Sequence, residues 1–177
     1  MEFSELVKIR QSDRKYSDKP VEKEKIIQCI ETTRLSPSAN NSQPWKFIVI
    51  DEHNLKEMVA SSASGLGMNR FTHQAPVIVA VVLEKMNGMA RIGSAIKNKD
   101  YSLIDIGIAV NQFCLQAAEL GLGTCILGWF DEKKIKKLLG VERKKRVPLL
   151  ITVGYSIAGR REKNRKPAEV ISSWNQY

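Results

Sequence analysis

The sequence predicts an α/β (α+β) fold, with helices covering both faces of a central sheet. Three observations predict it. Short apolar runs of strand length, "KFIVI", "PVIVAVVL", "TCILGWF" and "VPLLITVGY", alternate along the chain with segments of helical period. "PVIVAVVL" is apolar at successive positions, the mark of a central strand covered from both sides. No linker is long enough to divide the 177 residues, so one domain, 1–177, is expected.

Taken in order, "SELVKIR" reads as a short helix with Ser4 as its N-cap. "KEKIIQCIETTRL" is a helix with Ile26, Ile27 and Ile30 on one face. "KFIVI" is a strand, "HNLKEMVASS" a helix and "SGLGMN" a loose connection. After the central strand, Met86 to Tyr101 is weakly patterned and expected to be mobile. "SLIDIGIAVNQFCLQAAELGLG" is a helix apolar nearly all round, with Ile104, Ile108, Phe113, Leu115 and Leu120 pointing in several directions. Such a helix is buried in the fold or in a subunit interface. Gly121 and Gly123 are expected to stop it. "TCILGWF" is a strand, "DEKKIKKLL" a basic helix and "VPLLITVGY" a buried strand, followed by a basic tail.

An apolar fraction of 43% beside a charged fraction of 27% belongs to a soluble globular protein. "MEFSELVKIR" has no signal-peptide core, and the longest apolar run is too short to span a bilayer, so a cytoplasmic location is expected. Cys29, Cys114 and Cys125 include no C-x-x-C pair, and His53 and His73 lack partners at ligand spacing. No disulfide framework and no metal site are expected. The net charge of +9 admits nucleic acid, a membrane surface or a phosphorylated small molecule. Lys133, Lys134, Lys136 and Lys137 alternate with apolar residues, as on a solvated helix face. With no zinc-finger or RRM motif and no aromatics among the basic runs, nucleic acid is not expected as a partner.

Four clusters carry candidate chemistry. In "IRQSDRKY", Arg10 and Arg14 flank Ser12, and guanidinium groups fork onto phosphate oxygens. Surface charge is the plain alternative. In "SPSANNSQPW", Pro37 and Pro44 stiffen a loop whose Asn41 and Gln43 amides both donate and accept, suiting a heterocycle edge. A turn that caps the strand explains single residues of this run, not ten together. "GLGTCILGWF" sets Gly128 at a strand end, where backbone can approach a flat ligand, but lacks the dinucleotide G-x-G-x-x-G context. "NRKP" offers Arg165, with Lys163 and Lys166 beside it, to a phosphate.

In this order, "RQSDR", "SPSANNSQPW" and "AAELGLGTCILGW", closed by the R-K-P tail, resemble the nitroreductase family of flavin enzymes. The resemblance spans Arg10 to Pro167. It implies a three-layer fold with a mixed, mostly antiparallel sheet, and a homodimer that binds one FMN per subunit at a shared site. Arg10, Ser12 and Arg165 then correspond to phosphate ligands, and Arg14 to the cation near the pyrimidine end of the ring. Pro37, Ser38, Asn41 and Gln43 correspond to the loop lent by the partner subunit. Leu127 and Gly128 correspond to the backbone behind the ring. The implied activity carries hydride from NADH or NADPH through FMN to a nitroaromatic, a quinone or a similar small acceptor, with ping-pong kinetics. No catalytic side chain is expected, since the flavin carries the chemistry. A flavin-binding protein without turnover, such as a redox sensor or carrier, would show the same motifs. Longer members place a lid where this chain has Met86 to Tyr101, so a reduced or flexible lid is expected there.

Overall fold

A computed structural model describes residues 1–177, apart from the side chains of Leu66, Arg91 and Ala95. Its sheet holds four strands: β1 (Trp45–Ile50), β2 (Val77–Leu83), β3 (Gly123–Leu127) and β4 (Arg146–Gly154). They run in the order β1-β2-β4-β3, every neighbour antiparallel. Ser12 adds a parallel bridge to Thr124 on the outer side of β3, which makes the pairing mixed.

Strand alternation sorts the core into two halves. Val77, Val79 and Val81 of β2 face one side, with Ile151 and Val153 of β4. There they meet α2 (Lys23–Arg34) and α5 (Tyr101–Glu119), through Ile26, Cys29, Ile106, Val110 and Phe113. Ile78, Ala80 and Val82 face the other side and meet α3 (His53–Ala63) and α6 (Glu132–Leu138), through Val59, Ala60, Ala63 and Ile135. The result is a helix–sheet–helix sandwich, with both faces of β2 dry as the unbroken apolar run requires.

Several local expectations are corrected. In α1 (Phe3–Ile9) the N-cap position is Glu2, and Ser4 lies inside the first turn. Ile27 points outward at 58% exposure, because the inward row of α2 is Ile26, Cys29, Ile30 and Thr33. Residues 88–97 form a helix, α4 (Gly88–Lys97), rather than an unpatterned segment. Met89, Ile92 and Ile96 recur at helical spacing, but they face outward. Gly121 ends α5 in the left-handed conformation (φ +77°), with Leu122 N–H donating to Ala117 O. Gly123 has another task. It begins β3, where a Cβ would lie 2.7 Å from Asp13 Oδ2.

Gly154 is equally constrained. A Cβ there would lie 2.6 Å from Pro76 Cδ and 2.9 Å from Tyr16 Cδ1. Tyr16 is itself fixed, its hydroxyl donating to Asp13 O at 2.7 Å and lying 2.7 Å from Thr152 Oγ1. Gly154→Ala is therefore expected to lower stability by about 1–3 kcal/mol through overpacking, read as a lower midpoint in urea unfolding. Gly159→Ala, where a Cβ meets nothing within 4 Å, serves as the silent control.

Candidate functional site

The N-terminal segment after α1 runs extended beside β3: Ser12 bridges Thr124, and Asp13 N–H donates to Thr124 O at 2.8 Å. The segment after β4 returns to the same place. Gln11 Nε2 donates to Gly159 O, and Arg161 N–H donates to Gln11 Oε1 at 3.1 Å. The Arg161 guanidinium donates to Ser12 O, and Lys163 Nζ donates to the carbonyls of Val7 and Arg10. Two ends of the chain, about 150 residues apart, are thus stapled into one wall.

That wall encloses a cleft of about 320 Å³ lined by Arg10, Gln11, Ser12, Arg14, Arg161, Glu162, Lys163 and Arg165. Five cations face one carboxylate. Among the described residues, none of the four arginines forms an ion pair. Lys163 reports the surplus: burial holds its pKa below the ordinary lysine value, and the Arg10 and Arg165 charges push it the same way. Such a cleft is built for an anion with several acceptor oxygens. Arg10, Ser12, Arg14 and Arg165 therefore line one cleft. Lys163, which also lines the cleft, is tethered by two backbone carbonyls. Arg161, which sequence reasoning passed over, lines the cleft.

From the cleft, β3 leads away as an edge strand. Arg14 lies near Cys125, where its charge opposes the upward push that burial gives the thiol pKa. Leu127 buries its side chain in the core. Gly128 is exposed, and a Cβ there would meet nothing within 4 Å. Gly128 is about 13 Å along the strand from Thr124, at the usual rise per residue. Asn69 Nδ2 donates to Trp129 O at 3.0 Å, and Asp131 N–H donates to Ser62 O, which pins the chain beyond Gly128 to the end of α3.

The loop of Pro37, Ser38, Asn41 and Gln43 is elsewhere. Ala39 N–H donates to the Asp105 carboxylate at 3.1 and 3.3 Å, near the start of α5. The cavity adjoining the cleft touches Ala118, near the end of α5. Thirteen residues separate the two, about 20 Å along a helix. The loop's backbone is constrained: Asn40, Asn41 and Gln43 have φ of 49°, 52° and 45°, a left-handed region uncommon for glutamine. Ser38 Oγ accepts from Gln43 N–H, and Gln43 Nε2 donates to Asn41 Oδ1 at 2.9 Å. The two amides are thus paired with each other at an exposed tip. Asn87 Nδ2 donates to Asn40 O at 2.7 Å, which ties the tip to the entry of α4.

α5 buries Ile106, Val110 and Phe113 on the sheet, while Leu103, Ile104 and Ile108 are 48%, 54% and 37% exposed. No helix among the described residues is long and apolar enough to cross a membrane. Among the same residues no group of three His, Cys, Asp or Glu side chains is placed to hold a metal ion.

Known proteins resemble this chain over nearly its whole length. Residues 7–155 match the model of the Nitroreductase family. A candidate NAD(P)H nitroreductase of Streptococcus pyogenes, Spy0809, is 30% identical over 186 residues, covering 88% of this chain and 90% of the relative. The structure of an Exiguobacterium sibiricum protein named for a nitroreductase, in complex with FMN, superposes with a TM-score of 0.84 at 26% identity, covering 99% of this chain and 98% of that one. An FMN-dependent nitroreductase from Clostridium difficile superposes with a TM-score of 0.81 at 27% identity, covering 97% and 98%.

Proposed function

The chain belongs to the nitroreductase family, and from that premise we propose that it is an FMN-dependent oxidoreductase. It carries hydride from NADH or NADPH through the flavin to a nitroaromatic, quinone or similar small acceptor, donor and acceptor reacting in turn. The observation that carries this reading is the cationic cleft assembled from both ends of the chain and opening onto the edge of β3.

The residues present fit FMN. The cleft holds more positive charge than its own carboxylate neutralises, which suits a phosphate monoester. The backbone at Gly128 is exposed and free of side-chain bulk, and Leu127 beside it turns its side chain into the core, which suits a flat ring. Arg10, Ser12 and Arg165 would hold the phosphate, with Arg161 completing the wall. Arg14, fixed beside β3, would place positive charge at the pyrimidine edge and stabilise negative charge that develops there. When bound, the flavin supplies the hydride-accepting and hydride-donating centre.

The reading extends to a homodimer with a shared site. The loop of Pro37, Ser38, Asn41 and Gln43 lies too far along α5 to close its own cleft, yet its backbone is held in a costly shape. A partner packed on the exposed Leu103, Ile104 and Ile108 face would bring the partner's loop to this cleft. The whole chain, 1–177, serves as one FMN-binding domain in the cytoplasm.

An anaerobic visible spectrum tests the activity. The purified protein is expected to be yellow and to bleach on addition of NADPH or NADH, then recover on addition of a quinone. A yellow protein that resists both donors would assign it instead to flavin binding without turnover. A colourless protein that takes up no added FMN would overturn the reading.

A further inference from the structure

Asp13 stands between Ser12 and Arg14, the two residues that face the cleft, and its own side chain faces the other way, as alternation in an extended segment requires. Its carboxylate is 6% exposed. Oδ1 accepts from Ser156 Oγ at 2.7 Å and from Gln11 Nε2 at 2.9 Å. Both donors are neutral, and among the described residues no Lys, Arg or His forms an ion pair with it. Oδ2 sits so close to residue 123 that only glycine admits it. The cavity it borders, about 190 Å³, also takes in Arg10 and Arg160, and Arg10 is shared between this carboxylate's surroundings and the cleft.

These contacts account for the position of the side chain but not for its charge. An asparagine would keep an oxygen for both donors at a lower desolvation cost. A buried anion without an ion-pair partner among the described residues, one residue from an anion-binding wall, is unfavourable for folding and for binding alike. Its effect therefore falls on the ligand.

We infer that Asp13 limits phosphate affinity at this site: its fixed negative charge opposes the anion gripped by Arg10, Ser12 and Arg165, and so sets how readily the phosphate-bearing ligand exchanges. The inference rests on the proposed assignment of the cleft to the FMN phosphate. Because the effect is Coulombic, it grows with ligand charge and vanishes for a neutral ligand. A scaffolding role would give the opposite sign, since any change to a structural staple weakens binding.

The test is titration of the deflavinated full-length chain with FMN, riboflavin and inorganic phosphate. Asp13→Asn is expected to bind FMN about tenfold tighter than the native chain, the order of two partly screened charges. Phosphate should then compete at correspondingly lower concentration. Riboflavin affinity should stay within about twofold. Ser156→Ala removes a neutral donor and keeps the charge, so it should not tighten FMN. Equal or weaker FMN binding by Asp13→Asn, and by the second neutral variant Asp13→Ser, overturns the inference. Equal tightening of FMN and riboflavin overturns it too, because the gain is then packing. Arg10→Ala separates this from the underlying assignment: if that variant keeps full FMN affinity, the cleft is not the phosphate site.

Discussion

Arg10→Ala is expected to leave the protein mostly without FMN while riboflavin affinity changes little. Arg10 lines both the cleft and the cavity behind it, is held between the end of α1 and the Lys163 staple, and has no carboxylate partner among the described residues. Its charge is therefore committed to a ligand. A hydrogen bond to a charged group contributes about 1.5–3 kcal/mol. The expected loss in FMN affinity is thus roughly 10- to 100-fold, read by fluorescence titration. The fold should not suffer, because among the described residues no hydrogen bond of the Arg10 side chain supports it, and thermal melts of the apo forms should coincide. Arg165→Ala should act in the same direction and less strongly, since Arg165 is exposed and, among the described residues, anchored only by the neighbouring Asn164 O. Unchanged FMN occupancy in Arg10→Ala would remove the phosphate from this cleft.

The cleft was half legible in the sequence. Arg10, Ser12, Arg14 and Arg165 stand in short motifs whose chemistry can be read locally. Arg161 could not be read so, because its contact with Ser12 O joins residues 149 apart. Lys163 was legible as a charge beside Arg165, whereas only the fold shows two backbone carbonyls accepting from its ammonium. Asp13 sat in plain view inside "RQSDR", but its burial depends on Gly123 and Ser156, which no local pattern connects to it. α4 was visible as a helical spacing of Met89, Ile92 and Ile96, and was missed because the apolar side faces away from the core. The strand positions followed from apolar runs. Their order did not, since β4 inserts between β2 and β3 through contacts that periodicity does not encode.

Phe113→Ala is expected to give the largest loss of stability, about 3–5 kcal/mol. Phe113 is fully buried on the inward face of α5 and stacks on Phe47 of β1, ring centroids 5.8 Å apart and planes within 8°. Its removal leaves a cavity where α5 meets the sheet, and urea unfolding of the monomer-equivalent transition should show the shift at once. The opposite face of the same helix should behave in the opposite way. Ile104→Asp with Ile108→Asp changes residues that are 54% and 37% exposed, so the isolated subunit has little packing to lose. If that face seats a second copy, the double variant should elute as a folded monomer. It should also lose FMN, because the partner's loop no longer reaches the cleft. A double variant that remains dimeric, or a monomer that keeps its full flavin, would place the loop's role and the dimer face elsewhere. A helix apolar nearly all round is divided by burial into two faces. One side holds the subunit together. In the proposed homodimer, the other would seat the partner whose loop closes the site.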